Sequence, residues 1–270
     1  MNRVLVVLLL APLAACGGDK SPTNASPTTT GVNVTLSSPL RMGQTAQATG
    51  TETLSNGQSR PITSGWQSDA TSVASVNNAG VVTGIANGRA SIYVVAGGRQ
   101  GQQLLRVVPD YQGRWTGGLR TTSCTETGIF ADLDFCDDYP VGTTYRFALG
   151  LTQAGELMTA VVDYDPPYVF PSIGAPIAED GTSAFSPTLN ITESGITVAI
   201  TEECKINSPR VDVLNGTVNE LWRLPNFTGE ARVNQDIVLA SRTALAASAS
   251  AGERTASRLR LLRKLAQRLR

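Results

Sequence analysis

Three observations predict an all-β chain. Short runs alternate apolar and polar residues, as in Val32-Asn33-Val34-Thr35-Leu36 and Ala90-Ser91-Ile92-Tyr93-Val94-Val95. Turn signals separate the runs, among them Asn56-Gly57, Asn78-Ala79-Gly80 and Asn87-Gly88. The 270 residues include 26 Gly and 14 Pro, and Thr, Ser and Val dominate the middle of the chain. A period of two turns one side of each strand to a core and the other to water. Asn-Gly is a hairpin signal, and the composition favours short strands and turns over helices. The length gives room for two modest domains. The expected architecture is a β-sandwich over residues 31–108, then an antiparallel β-barrel or sandwich over residues 109–243, then a C-terminal amphipathic helix within residues 244–270.

Taken in order, residues 1–15 read as a secretory signal peptide. Asn2 and Arg3 make a polar, positive tip, and Val4 to Leu10 is an unbroken apolar run. That run is far short of the roughly 20 apolar residues a spanning helix needs. Leu13-Ala14-Ala15-Cys16 resembles the lipobox of bacterial lipoproteins. The resemblance implies cleavage before Cys16, lipidation of its sulfur and attachment to a membrane. One acyl chain holds a protein only marginally, at about 0.8 kcal/mol per buried CH₂, whereas a diacylglyceryl cysteine supplies two chains. Gly17 in place of Asp favours the outer membrane by the same resemblance. Residues 16–30 then form the lipidated cysteine and a tether. The stretch GGDKSPTNASPTTT is too polar to collapse.

Within residues 31–108, the segment from Trp66 to Val94 carries Trp66, Ser68, Val73, Ala74, Val76, Gly80, Val82, Thr83, Gly84, Gly88, Ala90 and Ile92. In this pattern it resembles the bacterial Ig-like domain of group 2, the type found in invasin- and intimin-like surface proteins. The resemblance implies an Ig-like sandwich acting as a spacer or adhesive module. Trp66, Val73 and Val76 are expected in its core, with the glycines in turns.

In residues 109–243 the clearest strand signals are 145–152, 157–162, 188–191, 196–200 and 237–239, with hairpin connections at 153–156 and 193–195. Consecutive hairpins suggest a meander, and closure into a barrel would remove exposed edges. Gly113-Arg114-Trp115 resembles the Gly-x-Trp motif of lipocalin-like barrels, which implies that Arg242 packs over Trp115 to close the barrel. An open sandwich stays an alternative, as does a barrel filled by its own side chains. With Cys16 lipidated, Cys124, Cys136 and Cys204 remain, so at most one intramolecular disulfide can form in an oxidising compartment. Cys124–Cys136 is the nearest pair in sequence, and Cys204 bridging to either is the alternative. Asp132, Asp134, Asp137 and Asp138 are weak Ca²⁺ candidates. Their spacing lacks the glycine and terminal Glu of an EF-hand loop, and a solvated acidic loop is the expectation.

The chain has no histidine and no CxxC, which removes Ser-His-Asp, Cys-His and Cys/His zinc chemistry. No phosphate-binding glycine loop occurs. The carboxylates Glu202 and Glu203 are neighbours and point to opposite strand faces, and Asp163 and Asp165 complete the acid candidates. No enzyme activity and no cofactor are expected, and no nucleic-acid partner. The formal net charge of zero conceals a segregation. Residues 109–243 hold 18 acids against 8 bases, whereas residues 253–270 hold seven bases and one acid, Glu253. Leu259, Leu262, Ala266 and Leu269 fall on one face of a basic helix, whose expected target is an anionic membrane surface or an acidic partner. The whole reads as an envelope lipoprotein with a non-catalytic binding or adhesion role. The alternative is a lipocalin-like carrier of a small apolar ligand, for which the second domain would need a continuous apolar cavity.

Overall fold

The computed structural model describes residues 26–162, 172–193 and 195–243, together with positions 263, 264 and 267. The predicted signal peptide, Cys16, Asp163 and Asp165 lie outside the described residues. So does most of the predicted C-terminal helix, of which 263, 264 and 267 have helical backbone.

The first unit has ten strands: β1 Thr29–Thr35, β2 Leu40–Arg41, β3 Thr45–Gln47, β4 Thr49–Leu54, β5 Ser59–Ile62, β6 Gln67–Ser68, β7 Ala74–Val76, β8 Val81–Gly84, β9 Gly88–Ala96 and β10 Arg99–Val108. They form three small sheets, β1-β4-β5, β2-β10-β9-β6 and β3-β8-β7. The predicted turn at Asn56-Gly57 joins β4 to β5, and β9 alternates buried and half-exposed positions over most of its length. Between the sheets lie Val34, Trp66, Val82, Ile92, Val94, Leu105 and Val107, all buried. Val73 and Val76 pack against this core from its margin. Gly80 has φ +81°, and a Cβ there would stand 2.9 Å from Trp66 Nε1, so the turn is closed to larger residues. The predicted tether ends earlier than residue 30. Thr29 already pairs with Leu54, and its hydroxyl donates to the buried carboxylate of Glu52 at 2.9 Å.

The second unit adds β11 Gly113–Glu126, β12 Thr144–Ala154, β13 Leu157–Val162, β14 Ile173–Pro176, β15 Ser183–Phe185, β16 Thr188–Glu193, β17 Ile196–Arg210, β18 Val213–Arg223 and β19 Glu230–Thr243. All belong to one antiparallel sheet in the order β14-β13-β12-β11-β19-β18-β17-β15, with β16 also on β17. The sheet curls into a half-barrel whose end strands meet at a single bridge, Ile177–Ser183. Its concave side is filled by Trp115, Leu119, Phe130, Phe135, Leu149, Met158 and Trp222, all with no exposed surface. Two 3-10 turns, Gly128–Leu133 and Phe135–Asp138, cap one pole and drive Phe130 and Phe135 into this core. The first unit sits at the other pole. Strand β19 runs from one to the other, pairing Ala231 with Glu126 beside the cap and Arg242 with Trp115 beside the first unit.

Candidate functional site

Two places concentrate functional side chains, one at each pole of the second unit. At the first-unit pole, Pro109 to Gln112 make the connection and nearly every polar group is used. Asp110 is held between the two units: it accepts from Arg41 at 3.2 Å and from Arg242 at 2.7 Å. Gln153 accepts from the Tyr111 amide at 2.8 Å and donates to the Pro109 carbonyl at 3.0 Å. The buried Tyr111 hydroxyl donates to the Gly181 carbonyl at 2.6 Å. Burial pushes this phenol well above its usual range, so it stays a neutral donor.

Arg106 is the second pin of this joint. It is 4% exposed. Its guanidinium donates to the carbonyls of Gly88 and Val107 in its own unit and of Ala178 and Glu179 in the other. Glu156 lies 3.3 Å away, and Glu179 is paired with Arg89. Arg106→Ala is expected to cost about 1–2 kcal/mol, the scale of a few lost hydrogen bonds, because the acids it leaves stay solvated. Glu156 and Glu179 are 49% and 71% exposed, which keeps the cost below that of a broken buried ion pair. Thermal unfolding that separates into two transitions would show the units uncoupled; one unshifted transition would contradict the pin. The hydrogen bond from Arg89 holds the Glu179 carboxyl below its usual range. This contribution is therefore fully present above the ordinary carboxylate pKa of about 4.3 and fades as pH falls through the lower folded value.

Arg242 extends the same pole toward the core, its guanidinium 4.9 Å from the Trp115 ring centroid. Trp115 Nε1 donates to the Tyr111 carbonyl at 2.9 Å. Gly113, at φ +137°, gives Arg242 room: a Cβ there would lie 3.1 Å from Arg242 Cγ. Trp115 and Arg242 thus pack together, and their neighbours bind the units to each other.

At the cap pole, Cys124 and Cys136 form the disulfide, with Cα atoms 5.6 Å apart. The alternative with Cys204 is corrected. Cys204 stays outside the bridge as a buried thiol, 4% exposed, on the inner side of β17 opposite Val218. Asp132, Asp134 and Asp137 are exposed, and Asp138 is half-buried. Among the described residues no group of three or more Asp, Glu, Cys or His side chains is placed to hold a metal ion. The four cap aspartates, spread along two short turns, therefore form no such group.

Glu202 and Glu203 point to opposite faces, Glu202 buried and Glu203 exposed. The residue that does face Glu202 was not legible as a partner. It is Glu220, directly opposite on β18 and 1% exposed, whose carboxylate accepts from Trp222 Nε1 at 2.9 Å. None of the described depressions is lined by either carboxylate. The two largest described lie on the outer face, of about 410 and 380 Å³, and share Lys205 and Thr217 with Glu203, Asn207 and Asn219 along their length.

Residues 28–107 match the family described as bacterial Ig-like domain (group 2). No curated protein matches the chain. Among solved structures, the S-layer protein SbsC, domains 5-6, is similar at 15% identity and TM-score 0.27, over 77% of this chain and 97% of that one. The surface layer protein SbsC, domains 4-9, is similar at 14% identity and TM-score 0.27, over 77% of this chain and 31% of that one.

Proposed function

We propose that this chain is a non-catalytic cell-surface binding protein, held to the outer membrane by lipid on Cys16, with its Ig-like unit as a spacer and its second unit as the recognition head. The observation that carries this reading is the inverted layout of the second unit. Its inside is filled by aromatic and aliphatic side chains, while its two largest described concavities lie on the outer face around Lys205 and Thr217. A carrier of apolar cargo needs the reverse arrangement, an apolar hollow with a polar exterior. The Cys124–Cys136 disulfide fits an oxidising compartment, as export requires.

The anchor is tested in the native host. Cys16→Ser is expected to shift most of the protein from the detergent-rich to the aqueous phase on detergent phase separation. Equal partitioning of both forms, or a mature N-terminus without lipid by mass spectrometry, would defeat the anchored reading. Organic extraction of the purified protein is expected to release no stoichiometric apolar ligand; recovery of one would restore the carrier.

A further inference from the structure

Lys264 Nζ lies 3.7 Å from Asp138 Oδ2. This contact joins the basic C-terminal segment to the acidic cap of the same chain, across more than a hundred residues of sequence. We infer that residues 253–270 dock on the cap pole of the second unit, with the face formed by Arg260, Lys264 and Arg268 set against Asp138 and the Glu202–Glu220 pair.

Charge supports the fit from both sides. The segment carries seven bases, and the unit it meets carries ten more acids than bases. Residues 260, 264 and 268 recur at the spacing of one helical face, and 263, 264 and 267 have helical backbone. The acceptors lie at one level of the half-barrel. Glu202 pairs with Glu220, Glu220 with Val233, and Val233 with Cys124, which is bonded to Cys136, two residues before Asp138. Facing carboxylates at that depth suit a planar guanidinium, which can bridge two acids with its fork of donors. The cap also exposes apolar surface near its acids, Val141 at 70% and Phe227 at 43%. Those side chains match the leucines flanking the basic face.

The reach is sufficient. The chain leaves β19 at Thr243 and must return to the level of Val233, ten residues or about 33 Å along the strand. The nine residues 244–252 alone span about 30 Å when extended, and the residues between them and Lys264 add more. Docked in this way, the segment is a built-in occupant of the cap, and its positive charge is not offered to a membrane.

The chain has only three lysines, Lys20, Lys205 and Lys264, so zero-length carbodiimide coupling of the full chain gives a readable map. The expected product is an isopeptide between Lys264 and Asp138 or a neighbouring cap carboxylate, formed within monomers and independent of protein concentration. Absence of any Lys264 link to the cap, or links confined to covalent dimers, would overturn the docking. The triple substitution Arg260→Glu, Lys264→Glu, Arg268→Glu alters only the tail and leaves the half-barrel intact. It is expected to speed tryptic cleavage after Arg258 by about fivefold, the upper range for exposed ion pairs, while Lys264→Arg stays as protected as the wild type. Equal cleavage rates for the triple variant and wild type would also overturn it. So would strong binding of the wild type to vesicles of anionic phospholipid with no gain in the triple-acceptor variant Asp138→Asn, Glu202→Gln, Glu220→Gln.

Discussion

Trp222→Ala is expected to destabilise the second unit by about 3–5 kcal/mol, the usual cost of deleting a large aromatic from a packed core. Trp222 has no exposed surface. Its ring meets Phe135 edge-on at 5.2 Å and lies 6.4 Å from Tyr139, so it is the platform on which the second cap turn rests. Phe135 and Tyr139 stack on each other at 5.1 Å, and Phe130 meets Phe135 at 5.6 Å. Alanine would leave a cavity beneath all of them and remove a donor from the buried Glu220 carboxylate. Trp222→Phe separates the two effects: it keeps most of the ring contact and loses the donor, at about 1–3 kcal/mol. Urea denaturation followed by far-ultraviolet circular dichroism gives both values. A loss below about 1 kcal/mol for Trp222→Ala would mean that the cap does not depend on this ring.

Removing the disulfide is expected to cost about 3 kcal/mol. Cys124 and Cys136 are separated by 12 residues, and closing a loop of that size withdraws roughly this much entropy from the unfolded chain. The bridge ties the second cap turn to β11, and Cys136 lies beside Phe135 in sequence. Its loss therefore frees the same cluster that Trp222 supports. Cys124→Ala with Cys136→Ala should lower the urea midpoint, and reductant should reproduce the shift in the wild type but not in the variant. Combined with Trp222→Ala, the total should fall short of the sum, because both changes release one cap. Full additivity would show that the bridge and the ring stabilise separate parts.

The first unit was largely legible in the sequence because its signals are local. Asn56-Gly57 and Gly80 sit at tight turns, and β9 alternates residue by residue, so the folded face could be read directly. Much of the second unit was written in less local terms. Strand β11 contains Gly117-Gly118 and shifts register against β19 at Thr116/Gly118 and at Thr121/Ser123, which breaks the period of two. Strand β18 likewise slips against β19 between Leu214 and Gly216. The cap looked like an acidic loop because its four aspartates are interleaved with Phe130, Leu133, Phe135 and Tyr139, whose spacing follows 3-10 turns and matches neither helix nor strand. The pairing of Cys124 with Cys136 followed from proximity in sequence. The opposition of Glu202 and Glu220 did not, because it depends on the register of the hairpin between β17 and β18. Arg106 and Asp110 carried no signal for a related reason: a charged residue at a strand end reads as solvent-facing until the neighbouring unit covers it.

The short connection at Pro109 to Gln112 has a mechanical consequence. With Asp110 and Arg106 each gripping both sides and Tyr111 fastening the connection to the second unit, the chain has no knee between its halves. A tilt imposed at the root, where Thr29 enters the first sheet, is handed undiminished to the distal cap. The far tip then sweeps an arc set by the full length of the body, and its orientation reports the angle at which the base is mounted.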